Sequence, residues 1–574
     1  MESYADDTQL VVSFSDNVNL DGSSLSSRLQ AATGWMMDSR LQLNGDKTEL
    51  MILGYDPGPG KRTYFMNSTC LYLHPSNLLK FEMKAPLRSK QTAIDLEVDK
   101  IFNKIDQMIT HVTYTHKNQT SSAENSQTTL MDPKQNYCVG DQLTIKIDAF
   151  DYFGNRKKYG EDLFIGRIFS PELGAGTSGK IEDFNNGTYQ VHFTLFWEGK
   201  LKLSLLLLHP SEANAAIWKA RNQGYENVDF TGTFINQTHS VNTKCNFEIQ
   251  TEKQLCEYAD DRDGEYFYCV KPDHIPCDGF TSMMSVNNEH SYLSDLEKSL
   301  IYRSNIGKEV TKPFEDINVL QCNKIRSLKE EKCRTGMHSP FPSGYFLESV
   351  WNPVFCSMSP SSTKDLMDKC LPGKMIYLMG DSTLRQWIPY FTNNVKSLKP
   401  FNIHEKGFHG TIRYVDIDKN IQLQWIRHGH PFLTESMYNV KSLAYMPREI
   451  DKLVGGANYV IVVTIGHHFR PFPLTLFLRR VICVRKAVER LLARSPDSKV
   501  IVQTANIREH STDIERLSDF HGYIHYYATK QIFRGLNIGF IDSWDMTIAS
   551  ASYFLHPVPS VIENQVHMFL TYIC

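Results

Sequence analysis

Residues 375–387, MIYLMGDSTLRQW, decide the fold that we predict for the C-terminal part of this chain. The apolar run at 375–379 is typical of a buried strand, and residues 384–391 have the pattern of a helix. Ser382 lies at the turn between them. A serine at a sharp strand-to-helix turn presents its hydroxyl above the sheet edge, near backbone N–H groups that can hold an oxyanion. Near the C-terminus, His556 is the candidate base for such a serine.

The same alternation of strand and helix continues to the C-terminus. Strands are predicted at 459–465, 500–502 and 538–541, and helices at 474–492, 523–533 and 561–572. This pattern favours a doubly wound, mainly parallel sheet over residues 371–574. In such sheets the functional site lies at the carboxyl ends of the strands. The candidates that follow predicted strands are Ser382, Gly466, Asn506 and Asp542.

The bulk composition describes an ordinary globular protein. The chain has 574 residues, 41% hydrophobic and 22% charged, which suggests two to four domains. The net charge of −3 gives no argument for a nucleic-acid partner. The longest apolar runs, 201–208 and 459–465, are too short to cross a bilayer.

Cysteines and glycosylation sequons indicate an oxidising, secretory environment. Twelve cysteines occur without a CxxC pair, so we predict disulfides rather than a zinc site. Sequons stand at Asn67, Asn118, Asn186 and Asn236. The N-terminal sequence MESYADD has no charged and then apolar signal segment, so the sequence as it stands gives no entry route to the secretory pathway.

The first 370 residues divide into four predicted segments. We expect an N-terminal fragment at 1–55 and a polar linker at 56–132 that carries one helix at 93–109. Residues 133–245 hold short alternating strands and predict an immunoglobulin- or filamin-like β-sandwich, which serves as a recognition module or as a spacer. Residues 246–370 carry seven of the cysteines and predict a disulfide-rich connector.

The N-terminal fragment resembles part of a reverse transcriptase. The motif YADD at 4–7, with LN at 43–44 and KTE at 47–49, resembles the palm of non-LTR retrotransposon enzymes. In that family the two aspartates bind catalytic Mg²⁺. The upstream aspartate that completes the metal site is absent here, and two-metal chemistry needs it. We therefore expect no polymerase activity and a transposon-derived or fused origin for residues 1–55.

Most of the chain resembles the neurexophilin and PC-esterase domain (NXPE) family. The resemblance rests on YCVGD at 137–141, DFNNGTY at 183–189, FWEG at 196–199, HPSE at 209–212, GDSTLRQW at 380–387, GHHFR at 466–470 and WDMT at 544–547. It implies a secreted or Golgi-lumenal glycoprotein with an SGNH-type C-terminal domain. It also implies acyl-ester chemistry on glycans, namely O-acetyl transfer or its reversal, with acetyl-CoA as a possible donor. Relatives in the wider fold acetylate cell-wall polysaccharides and sialic acids.

The resemblance assigns Ser382 as nucleophile and His556 as base. The non-catalytic alternative is that Ser382 belongs to a helix cap and that His556 is a surface histidine. The SGNH pattern has an aspartate three residues before the histidine, where this chain has Tyr553. Three readings stay open: Asp542 or Asp545 supplies the carboxylate, a Ser–His dyad suffices, or activity is weak or absent.

The remaining candidate residues surround this pair. Gly380 and Asp381 shape the turn, and Gly466 and Asn506 are candidate oxyanion donors. Arg385 and Arg470 either bind an anionic substrate or form structural ion pairs. The candidates for further substrate contacts are His467, His468, Trp387 and Trp544, and core packing is the alternative for both tryptophans. No metal site is predicted.

Two functions follow from these assignments. The first is an acyltransferase or esterase that acts on a glycan in the secretory pathway. The rival is a binding protein whose sandwich domain recognises a cell-surface partner while the esterase fold is inactive. Tyr553 favours the rival, and the intact GDS motif with His556 favours the enzyme.

Overall fold

The computed structural model describes residues 91–109, 112–237, 239–303, 307–312, 316–322, 331–401, 410–440, 444–508 and 513–574. Before residue 91 it describes three strands, Val11–Ser13, Leu50–Leu53 and Thr63–Met66, which form one small sheet. The chain divides into two units, Met1–Lys90 and Gln91–Cys574. The YADD motif lies outside the described residues.

Two β-sheets share one hydrophobic core in the first half of the larger unit. One sheet has the order Ser121–Leu130, Gln142–Asp151, Thr188–Thr194 and Lys180–Asp183. The other has the order Val350–Pro353, Gly344–Leu347, Ala175–Ser178, Leu163–Ser170, Gly199–His209, Ile317–Leu320 and Tyr137–Cys138, and Lys308–Glu309 also pairs with Gly199–His209. Inward side chains such as Ile145, Val191 and Leu205 meet in this core. The predicted period-two alternation is therefore present, while the immunoglobulin-like topology stays a prediction.

The predicted linker is partly wrong. Its helix is present as Ala93–Asp106, but Ser121–Leu130 is a strand of the first sheet. Apart from Ala123, the buried positions of this strand carry hydroxyl side chains, which are hydrogen-bonded. For example, the hydroxyl of Ser121 donates to Asp162 over 2.9 Å. Because these buried positions are polar, the hydrophobic pattern that marks a strand is missing from the sequence.

A third, six-stranded antiparallel sheet occupies the middle of the chain. Its order is Leu255–Asp260, Glu265–Val270, His239–Asn246, Val228–Asn236, Phe280–Asn287 and Thr434–Asn439. The last of these strands comes from the C-terminal half of the chain. Residues 246–370 therefore contribute strands to two sheets and do not form the separate connector that we predicted.

The prediction of disulfides is confirmed. Within the described residues the pairs are Cys138–Cys322, Cys245–Cys269, Cys256–Cys277, Cys333–Cys356 and Cys370–Cys574. Cys483 is a buried thiol, and Cys70 lies outside the described part of the chain.

The C-terminal half is a seven-stranded sheet with helices on both faces. Its order is Lys399–Pro400, Ile412–Asp416, Ile421–Arg427, Met375–Gly380, Tyr459–Val463, Lys499–Gln503 and Gly539–Ile541, and the last five strands are parallel. One face packs on the helices Leu474–Arg494 and Asp519–Ile532. The other packs on Trp387–Asn394 and Pro559–Ile573. The predicted doubly wound, mainly parallel sheet is thus present.

Seven further helices occur in the described part of the larger unit. They are Ser211–Arg221, Asp295–Arg303, Thr363–Cys370, Ser382–Arg385, Met446–Asp451, Ile514–Leu517 and Ser543–Ser550. In the described residues no helix is long and apolar enough to cross a membrane.

Candidate active site

The strand order creates a crevice next to Ser382. Numbered along the chain, the five parallel strands have the spatial order 2-1-3-4-5, so the connections leave in opposite directions on either side of strand 1. Ligands of doubly wound sheets bind outside the carboxyl ends of the strands at such a switch point. Ser382 follows strand 1, and Gly466 follows the adjacent strand 3. The crevice therefore lies between these two residues.

The turn that carries Ser382 is tightly built. A Cβ atom on Gly380 would stand 2.4 Å from Cγ2 of Thr464 and 2.9 Å from its carbonyl oxygen, so a larger residue does not fit. Asp381 caps the helix Ser382–Arg385, since its Oδ1 accepts from the backbone N–H of Thr383 over 2.9 Å and from its hydroxyl over 2.6 Å. Asp381 is thus committed to the turn, and the half-buried Ser382 is left facing the crevice.

His556 meets Ser382 directly. Its Nε2 lies 2.7 Å from Oγ of Ser382, and the serine hydroxyl donates to Nε2 when the imidazole carries its proton on Nδ1. Burial lowers the pKa of His556. The Asp381 carboxylate opposes this shift, and the positive charges of Arg385 and Arg508 lower the pKa further. At neutral pH the imidazole is therefore unprotonated and able to accept the serine proton.

The two aspartates proposed as partners of His556 are engaged elsewhere. Asp542 accepts hydrogen bonds from the hydroxyl of Tyr526 over 2.8 Å and from Nζ of Lys530 over 3.1 Å. Asp545 accepts from the hydroxyl of Ser343 over 2.7 Å, and burial together with the Asp542 charge raises its pKa to about 7. No hydrogen bond joins either carboxylate to His556 within the described part of the chain.

Asn506 holds the loop that carries His556. Its Nδ2 donates to the carbonyl oxygens of Phe554 and Leu555 over 3.0 and 3.3 Å, just before the histidine, and to that of Ile507 over 2.8 Å. Its Oδ1 lies 3.0 Å from Nε2 of His467. The amide hydrogens are thus in use, which argues against the predicted oxyanion role. Sequence reasoning missed this backbone contact because an asparagine after a strand gives no sign of its partner.

One of the two arginines that we predicted as substrate contacts is structural, and another arginine stands beside the crevice. Arg470 is fully buried, pairs with Asp519 over 3.0 Å and donates to the carbonyl oxygens of Leu517 and Ser518, so it is structural. Arg508 was not predicted. Arg508 is half-buried, and its positive charge lowers the pKa of His556. Its guanidinium makes no hydrogen bond to another described residue. Its place just after a strand at the same rim was the available signal.

Arg385 is also close to the crevice. Its guanidinium is half-buried, 5.5 Å from the ring centre of Trp425, and it acts on the pKa of His556. Of the two arginines predicted as substrate contacts, the structure brings Arg385 to the Ser382–His556 pair.

The remaining candidates pack in the interior. His467 is buried against Asn506, and burial holds its pKa well below the ordinary value. His468 accepts from the backbone N–H of Leu433 over 2.9 Å and stacks on Phe432. Trp387 is fully buried. Its Nε1 donates to Gln565 over 3.2 Å. Trp544 is also buried, at 2% exposure.

The glycosylation sequons are at the surface where the structure describes them. Asn186 and Asn236 are exposed, Asn118 is half-buried and accepts from Arg303 over 2.8 Å, and Asn67 lies outside the described residues. Among the described side chains there is no group of three His, Cys, Asp or Glu residues that could hold a metal ion.

Two protein-family models match this chain. The model described as NXPE family member 4-like, C-terminal domain, matches residues 351–574, which include Ser382, His556 and the whole parallel sheet. The model described as Neurexophilin matches residues 106–290, which include the whole first sheet, part of the second and five of the six strands of the third.

Proposed function

Because this chain belongs to the NXPE family, we propose that it transfers or removes acyl groups on glycan hydroxyls, with Ser382 as nucleophile and His556 as base. The observation that carries the proposal is the 2.7 Å contact between Nε2 of His556 and Oγ of Ser382. A serine hydroxyl becomes nucleophilic when a base within hydrogen-bond reach takes its proton.

The proposed reaction has two steps. Oγ of Ser382 attacks the carbonyl carbon of the donor while its proton passes to Nε2 of His556, and the proton then goes to the leaving group. The acyl-serine is next attacked by a glycan hydroxyl, or by water in the hydrolytic direction, which gives its proton to the same nitrogen. The bond between the acyl carbon and Oγ of Ser382 then breaks, and His556 returns the proton to Oγ. The backbone N–H groups of Ser382 and Gly466 are the proposed oxyanion donors, since both border the crevice.

We assign the orientation of His556 to Asn506 instead of a carboxylate. In a serine–histidine–aspartate triad the aspartate fixes the imidazole. Here Tyr553 holds the usual aspartate position and lies near Arg167 of the second sheet, where it opposes the lowering of that arginine's pKa by burial. Asn506 instead fixes the two backbone carbonyls that precede His556. Ser382 and His556 then work as a dyad, with His556 on a loop that Asn506 restrains.

The substrate that fits this crevice is anionic. Arg385 and Arg508 both stand beside His556, and burial lowers the pKa of Arg508 to about 10, so a negative group would relieve the cost of the buried charge. We therefore propose an acid-bearing glycan, such as one with sialic acid, as acceptor and acetyl-CoA as donor. A Golgi-lumenal or secreted location follows from the same proposal.

Acetyl transfer tests this function. The full chain is incubated with acetyl-CoA and a sialoglycan, and in a separate assay with an O-acetylated sialoglycan. The masses of the glycans are then measured by mass spectrometry. We expect gain or loss of acetyl with the wild type and none with Ser382→Ala. A signal of equal size from that variant would reject the assignment.

The second candidate function is a binding protein without catalysis. The engagement of Tyr553 with Arg167 favours it, because this position then serves packing between domains and not the imidazole. It predicts no acetyl change in either direction with any acyl donor, together with retention of a cell-surface partner by the isolated full chain.

A further inference from the structure

A second cavity lies between the sandwich and the doubly wound sheet. It has a volume of about 810 Å³. One side is lined by residues 107–109, 159–166, 178–181 and Asn214, and the other by Phe341 and by residues of the helices Asp519–Ile532 and Ser543–Ser550. We call it the interdomain cleft. Small-molecule sites have volumes of about 300–1,000 Å³ and occur preferentially between domains. Ser382, His556, Arg385 and Arg508 are not among the lining residues, so the cleft is a different site.

One wall of the interdomain cleft is aromatic. Trp544 stacks on Tyr526 with ring centres 5.9 Å apart, and Tyr523 stands 6.3 Å from Trp544. Tyr523 is 36% exposed, so this residue is accessible to a ligand. Phe341 packs edge-on against Tyr526 at 6.2 Å and extends the wall. Flat aromatic surfaces of this kind bind the face of a saccharide ring that carries its C–H groups.

A buried acceptor in the same cleft lacks a donor. Asn214 is 2% exposed, and its Nδ2 donates to the carbonyl oxygen of Glu161 over 2.8 Å. Its Oδ1 has no hydrogen-bond partner among the described residues. Leaving a buried acceptor unsatisfied costs about 1–3 kcal/mol, so an external donor is expected here. A hydroxyl group supplies that donor.

The charges in the cleft favour a neutral ligand. Three carboxyl groups line it against one ammonium, that of the exposed Lys180, which disfavours an anion. Asp162 and Asp183 already accept internal donors, such as the backbone N–H groups of Ser211 and Glu161. Burial also raises the pKa of both, that of Asp162 to about 7. The carboxyl groups of Asp162 and Asp183 are thus engaged within the protein, which leaves them less available to a cation.

We propose that the interdomain cleft binds a neutral saccharide, whose ring stacks on Tyr523 and whose hydroxyl donates to Oδ1 of Asn214. This site does not depend on the chemistry of Ser382. Two sources of the sugar share this chemistry. One is an incoming glycan. The other is a glycan of the chain itself, because Asn186 is an exposed sequon adjacent to Asn185, which lines the cleft.

Binding of neutral sugars tests the proposal. Saturation-transfer NMR on the full chain is run with N-acetylglucosamine, galactose and lactose, and with choline and an apolar dye as rival ligands. Tyr523→Ala and Asn214→Leu should each weaken sugar binding by about five- to tenfold, from lost stacking and a lost hydrogen bond. Ser382→Ala and Tyr302→Ala should leave it unchanged, since Tyr302 is a 73% exposed tyrosine that does not line this cleft.

The two sources give different results with Asn186→Gln. Stronger binding of added sugar in this variant assigns the cleft to the chain's own glycan, and equal binding assigns it to an incoming one. If Asn214→Leu does not fold, hydrogen exchange on the wild type replaces it, and sugar should then slow exchange at 159–166 and 520–526. The proposal is overturned if no sugar binds wild type or Asn186→Gln, if the cleft substitutions have no effect, or if choline or the dye binds there and sugar does not.

Discussion

The pairing of Ser382 with His556 could be predicted from the sequence, whereas the residues that restrain the pair could not. A GDS motif after an apolar run and a late histidine are local patterns. The burial of Arg470 and the contact from Asn506 to Phe554 depend on segments far apart in the chain. Arg470 and Arg508 look alike in sequence, and only packing makes one structural and leaves the other beside His556.

The restraint by Asn506 predicts a specific kinetic defect. Asn506→Ala frees the carbonyls of Phe554 and Leu555, so His556 loses its fixed approach to Ser382. Small misplacements of a catalytic group cost on the order of 100-fold, so we expect a 10- to 100-fold lower kcat with little change in KM.

A matched control separates position from stability. Asn564 is another buried asparagine, which donates to the carbonyl oxygen of Ser349 over 3.0 Å. Asn564→Ala should lower stability and keep the kcat of the folded fraction. Equal kcat values for the two variants would argue against a positioning role for Asn506.

The lowered pKa of His556 predicts the acid limb of the pH profile. The base works only when neutral, so kcat/KM should rise with pH and reach half its plateau below pH 6.5, the ordinary value for histidine. Arg508→Gln removes a cation that disfavours the imidazolium, so its midpoint should move up toward 6.5. The profile is measured with an uncharged ester. A wild-type midpoint above 6.5, or a downward shift in the variant, would contradict this.

At the scale of elements, strands and helices with apolar faces were predictable and polar strands were not. The strand at 459–463 and the helix at 474–494 differ from their predicted ends by two residues. Ser121–Leu130 was missed, because hydroxyl-bearing side chains fill its buried positions apart from Ala123. Strands from distant parts of the chain also pair in one sheet, as when Thr434–Asn439 joins the middle sheet. Such long-range pairing leaves no pattern in the local sequence.

The end of the helix before the His556 loop carries a strained residue. Ala551 caps the helix Ser543–Ser550 with φ of 56°, a left-handed conformation that costs a non-glycine residue about 1 kcal/mol. Ala551→Gly should raise the free energy of unfolding by about 0.5–1 kcal/mol after the greater freedom of the unfolded chain is counted. Denaturant titration measures it. Ala549→Gly, inside the helix, should act in the opposite direction, and a loss of stability in both variants would contradict the account.

At the scale of the whole molecule, buried histidines predict acid instability. Burial lowers the pKa of His209 to about 4 and that of His430 to about 3, and holds those of His428, His467, His521 and His525 well below 6.5. Below pH 6.5 the unfolded chain binds protons that the folded chain does not. Each histidine then costs about 1 kcal/mol of stability per pH unit.

Two buried carboxyl groups oppose this trend in part. The raised pKa values of Asp162 and Asp545, about 7 each, mean that the folded state gains protons there as the pH falls. The stability lost at six histidines exceeds the stability gained at two carboxyl groups. We therefore expect the free energy of unfolding to fall by several kcal/mol between pH 7.5 and 5.5. Chemical denaturation at the two pH values measures it, and equal or greater stability at pH 5.5 would contradict the burial of these histidines.

Labelling by a fluorophosphonate tests the central claim, that His556 activates Ser382, most directly. The full chain is treated with the probe, digested, and the modified peptide identified by mass spectrometry. We predict a single modified residue, Ser382, with labelling lost in Ser382→Ala, strongly reduced in His556→Ala, and kept in Ser361→Ala, a change at an exposed serine. A folded wild type that takes no label, or labelling of equal extent in Ser382→Ala, would contradict the claim.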